Sequence, residues 1–133
     1  MVKVLNTSKY IFSGLATFIT YLLGGWDYSI IALLIMMGID YLSGVFVAIT
    51  RKQVSSEIGF KGIFKKCLIL CMVAMGVVVD NMLNIEQEFC RMLVIYFYIA
   101  NEGISIIENA SNLGLPVPQK LKDALIQIQN KKK

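Results

Sequence analysis

From residue 28 to residue 50 a single charge appears, that of Asp40. A helix crosses a hydrocarbon core of about 30 Å with about 20 mainly apolar residues. This run therefore sets the class, an all-α integral membrane protein. Three further apolar segments read the same way: residues 10–26, residues 67–85 with Asp80 in the last turns, and residues 92–110. Gly24 and Gly25 suit a tight turn between the first two, and Trp26 and Tyr28 suit a membrane–water interface. About four transmembrane helices are expected; in a three-span alternative the first segment lies in the interface. No small-residue cleavage site follows Lys3 and Lys9, so the first apolar segment is read as retained.

Composition agrees. Of 133 residues 56% are hydrophobic and 17% charged, against about 25% charged in soluble domains. Too few polar residues remain to cover a water-facing exterior. Histidine is absent, Cys67 and Cys71 share a helix face poorly suited to a disulfide, and Cys90 stands alone. No metal site or cofactor is expected. The pI near 9.0 raises nucleic acid as a partner. The basic residues flank apolar spans, however, so anionic lipid and topology explain them better.

Twelve of the thirteen basic residues fall on one side of a four-span layout, leaving Arg91 opposite. Both termini are then expected in the cytoplasm. Residues 1–112 form the membrane domain, with a basic cytoplasmic loop at 51–66; residues 113–133 form a basic amphipathic cytoplasmic tail. Arg51, Lys52, Lys61, Lys65, Lys66, Lys131, Lys132 and Lys133 are the expected membrane-surface cations. Two short amphipathic helices are expected at that surface. One has Phe60, Ile63 and Phe64 on one side, with Ser55 or Ser56 as N-cap; the other carries Leu121, Ala124, Leu125 and Ile128 after Pro116 and Pro118.

The segment at 92–112 carries a wet stripe on an otherwise apolar helix. Tyr98, Asn101, Glu102, Ser105, Glu108, Asn109 and Asn112 recur at three- and four-residue steps. A lipid-facing helix tolerates no such stripe, whereas one lining water or meeting a polar partner does. Asp40 in mid-span has Ser43, Gly44 and Ala48 at helical steps, a face open to close helix approach. Asp40, Ser43, Gly44, Asp80, Asn101, Glu102, Ser105, Glu108 and Asn109 are thus candidates for pore lining or assembly. The plainer alternatives are an intramolecular hydrogen bond for Asp40 and a water-boundary role for Asp80. Glu102 and Glu108 lie about 240° apart around a straight helix and make no catalytic dyad. With no nucleophile–base set and no βα context for Gly59 and Gly62, which read as hinges, no enzyme is expected.

Certain blocks resemble a known family: Asp40-Tyr41-Leu42-Ser43-Gly44; Ser55-Ser56-Glu57-Ile58-Gly59-Phe60-Lys61-Gly62; Asp80 closing an apolar run; and Asn101-Glu102-Gly103-Ile104-Ser105-Ile106-Ile107-Glu108-Asn109 leading into Gly114-Leu115-Pro116-Val117-Pro118. They are similar to the phage holin family that includes clostridial toxin-secretion holins and short holins of Bacillus phages, over residues 38–125. The resemblance implies a small homo-oligomer in the bacterial host cytoplasmic membrane that opens lesions at a programmed time. Endolysin or a toxin would be its cargo and an antiholin a further partner. From the residues alone, sequestration of acidic and amide groups by neighbouring copies is the expected drive to assemble. A narrow ion channel or transporter subunit, and a passive scaffold acting through residues 121–128, are the rival classes.

Overall fold

A computed structural model describes residues 1–131, all helix and connection among these residues. α1 (Val2–Leu23) ends at Gly24, whose φ of 78° places it in the left-handed region. The amides of Gly24 and Gly25 bond back to Tyr21 O and Thr20 O, a Schellman closure that lets the chain turn at once. Asp27 then caps α2 (Tyr28–Thr50) by accepting from the Ile30 amide. Ser55 caps α3 (Ser56–Met82) in the same way. A 3-10 turn, Glu86–Glu88, leads into α4 (Phe89–Asn112). Gly114, Pro116 and Pro118 separate α4 from α5 (Gln119–Lys131).

α3 begins well before the apolar run that marked it. The amphipathic piece expected in the 51–66 connection is the first part of one 27-residue helix, and the true connection is short. Gly59 and Gly62 lie inside that helix, so they are not hinges. Tyr41 of α2 rests on them: a Cβ on Gly59 would sit 3.2 Å from its hydroxyl, and one on Gly62 3.5 Å from its ring.

α4 is the central helix, packed against α2, α3 and α5, while the backbones of α2 and α3 come close at only a few points. The core is Leu23, Ile30, Leu33, Met37, Ile69, Val73 and Ile95. At Gly76 the backbones of α3 and α4 approach so closely that a Cβ would lie 3.0 Å from Arg91 Cα. Three helical segments are long and apolar enough to cross a membrane: Tyr28–Thr50, Ser56–Met82 and Glu86–Asn112. α1 is long enough, but its polar residues leave it less apolar than that, and among its side chains only Leu23 is buried. Trp26 lies just beyond α1 and donates to Thr20 Oγ1 at 2.6 Å. The chain is an integral membrane protein with three such helices among the described residues.

Candidate functional site

Buried registers converge on one point within the spans. On α2, Ile30, Leu33 and Met37 continue at helical steps to Asp40, Gly44 and Val47. On α3, Asp80, Gly76, Val73 and Ile69 continue back to Lys66. On α4, Arg91 and Ile95 lead to Glu102. Lys66 Nζ donates to Asp40 Oδ2 and to Glu102 Oε2, each at 2.7 Å. The three side chains are 16%, 18% and 5% exposed.

Asn109 completes the cluster. Its Nδ2 donates to Ser43 Oγ at 2.9 Å and to Asp40 Oδ1 at 3.2 Å, and Ser43 in turn donates to Asp40 O. Gly44 lies beside this amide, whose nitrogen would be in ordinary contact, 3.8 Å, with a Cβ there. One ammonium between two carboxylates leaves a formal charge of −1 when both acids are ionised. Beside the cluster, where α2 and α3 splay, a cavity of about 350 Å³ is lined by Tyr41, Gly59, Gly62, Ser105 and Glu108 among others.

The sequence reading missed the partner. Lys66 was expected among the membrane-surface cations, yet its ammonium turns inward; Arg51, Lys52, Lys61 and Lys65 are exposed. Arg51 donates to Asn112 Oδ1. Lys132, Lys133 and the side chain of Lys131 lie outside the described residues. The clue to Lys66 was its register with Ile69, Val73, Gly76 and Asp80. No buried side-chain nitrogen or oxygen among the described residues lacks a hydrogen-bond partner. Asp40 and Glu102 are satisfied within one protomer and do not by themselves require another copy.

Asp80 belongs to a second cluster at the opposite end of the bundle. Its carboxylate accepts from the amides of Cys90 at 2.8 Å and Arg91 at 2.9 Å, capping α4 from the neighbouring helix. Arg91, fully buried, makes a two-pronged contact with Asp27, at 2.7 Å to Oδ2 and 3.2 Å to Oδ1. It also donates to Leu23 O and Gly25 O, fastening the turn after α1 to the start of α4. The guanidinium, with Ser29 and the Ile30 amide, holds the Asp27 carboxyl well below the usual carboxylate range. In the sequence Arg91 stands out only as the odd cation; apart from Glu88, three residues before it, its partners lie too far along the chain to pair by inspection. Asn101 lies apart from both clusters, accepting from Gln129 of α5. Among the described residues no group of three or more His, Cys, Asp or Glu is placed to hold a metal ion.

A model of the bacteriophage holin family matches residues 17–130. The uncharacterized 14.9 kDa protein of the nagH 3′ region in Clostridium perfringens is 44% identical, over 99% of this chain and all of its own length. Two uncharacterized Bacillus subtilis proteins also match. YtkC is 35% identical over 91% of this chain and 92% of its own, and YqxH 38% identical over 84% and 79%. No solved structure matches.

Proposed function

This chain belongs to the bacteriophage holin family, and on that premise we propose that it acts as a holin. It accumulates in the bacterial cytoplasmic membrane, self-associates, and opens lesions through which an endolysin or a toxin leaves the cell. Both termini face the cytoplasm in the four-span form, with Arg91 at the outer face and the basic residues at the inner one. Lysines there meet anionic lipid.

One observation carries the reading. Three of the four sequence blocks that resemble holins meet in space: Tyr41 rests on Gly59 and Gly62, Asn109 holds Asp40 and Ser43, and Lys66, just after the second block, bridges Asp40 and Glu102. This cluster acts as a latch. Closed within one protomer, it lets a chain with mid-span charges accumulate without harm, because Asp40, Lys66 and Glu102 pair with one another. Exchanged between copies, the same groups turn to water beside Ser105 and Glu108 and line a lumen. Such a change needs two packings of similar free energy, and the sparse α2–α3 contact supplies the loose seam.

The competing reading is a narrow ion channel, favoured by the compact charged cluster at mid-span. Purified protein in vesicles holding both a small dye and a folded enzyme separates the two. A holin releases both. Loss of ions alone, with the enzyme retained at every protein density, would establish the channel instead.

A further inference from the structure

α5 does not lie flat where a surface helix would. It turns back along α4: Leu125 packs on Gly103, where a Cβ would stand 3.0 Å from Leu125 Cδ1 and 3.1 Å from Met36 Cε of α2. Gln129 Nε2 donates to Asn101 Oδ1 at 3.3 Å. At about 1.5 Å per residue, Asn101 lies roughly 18 Å from Phe89 and roughly 16 Å from Asn112, deep within the span. The tail helix therefore reaches to about half the depth of the membrane segment.

Its composition forbids that depth in lipid. Towards that depth Gln127 and Asn130 are exposed on the docked helix, and Lys120, Lys122 and Asp123 are exposed nearer its start. Amide and charged groups facing acyl chains have no hydrogen-bond partner and are strongly disfavoured. Docked α5 and a lipid-facing position for this side of α4 exclude one another, so the docked form fits only where that side meets water.

We propose that α5 is a tethered plug: docked on the Asn101–Gly103 face of α4 it occupies the aqueous space between protomers, and permeation requires it to swing out about the Gly114–Pro118 connector. This rests on the holin reading, since a plug presupposes a lumen. The connector suits the motion, with Gly114 at a φ of 85° and two prolines that interrupt helix between α4 and α5. Only Leu125, Ile126 and Gln129 of α5 are even half-buried up to residue 130, so the docked contact is small enough to release.

The test locks the helix down. In a chain with Cys67, Cys71 and Cys90 replaced by serine, Gly103→Cys and Leu125→Cys bring two thiols together at the docked contact. The full-length variant is placed in vesicles of phosphatidylethanolamine and phosphatidylglycerol holding a trapped dye. Cross-linking is read by gel mobility and leakage by fluorescence, before and after reduction. The oxidised form should leak slower by about tenfold or more than the reduced form, as expected when the open form is withdrawn from the equilibrium. A chain ending at Pro118 should leak faster than the full-length protein. Failure of the thiols to cross-link in the membrane, or equal leakage of locked and reduced protein, overturns the plug alone. Absence of leakage from every variant, the shortened chain included, overturns the holin reading and the plug with it.

Discussion

Lys66 serves two carboxylates at once, so its loss and theirs are strongly coupled. Lys66→Met leaves Asp40 and Glu102 side by side without a cation. Removing one partner of a buried ion pair costs about 3–5 kcal/mol, and unfolding of the variant in detergent should show a loss of that order. Replacing all three, Lys66→Met with Asp40→Leu and Glu102→Leu, removes the unpaired charges and should restore most of the stability. If the triple variant is as unstable as the single one, Lys66, Asp40 and Glu102 do not act as one ionic unit. Asp27 gives a pH signature at the other end. Its carboxyl lies below its ordinary value of 3.8 in the folded protein. The stability it contributes is complete above that value and fades as the pH falls through the lower folded value. The wild type should therefore lose its advantage over Asp27→Asn as the pH drops below about 4. A constant difference down to strong acid would mean that the Arg91 pairing does not set the shift.

At the scale of helices, the close crossing of α3 and α4 depends on Gly76. What a side chain there would meet is backbone, which cannot step aside. Gly76→Ala should destabilise by about 1–3 kcal/mol, as overpacking does. Asp80→Ala should cost about 1–2 kcal/mol by leaving the first amides of α4 uncapped, with faster hydrogen exchange at Cys90 and Arg91. Protection unchanged at those amides would contradict the capping role. The apolar runs made α2, α3 and α4 legible, because length without charge has few other solutions. The start of α3 was not, since Lys61, Lys65 and Lys66 with Gly59 and Gly62 lower hydropathy without breaking a helix. Hydropathy marks where lipid lies rather than where hydrogen bonding begins. Among site residues, Asp40, Glu102 and Asn109 were legible as polar groups out of place. Their mutual pairing through Lys66 was not, because register on one helix says nothing of which neighbour it faces. The depth reached by α5 was hidden for a similar reason: of the expected stripe only Leu125 packs on α4, beside Ile126 and Gln129, while Leu121 and Ile128 stay exposed.

For the molecule as a whole, α1 is joined to the bundle chiefly through the Arg91 end. Arg91→Gln should loosen the turn at Leu23–Gly25 and raise cysteine-labelling rates at a Trp26→Cys probe, while α2 to α4 stay packed around Ile30, Val73 and Ile95. No change in labelling would show that the guanidinium is not the fastening. Internal pairing of the mid-span charges makes a stored, harmless protomer compatible with a later damaging assembly. The most direct measurement of that capacity expresses the chain in bacteria beside a cytosolic muralytic enzyme that has no export signal of its own. Membrane accumulation, membrane potential and enzyme outside the cytoplasm are followed together. Growth should continue while the protein accumulates, then end in depolarisation with release of the folded enzyme and lysis. Cells that stay polarised and intact with the protein abundant in their membrane, or that depolarise while retaining the enzyme, would contradict the account.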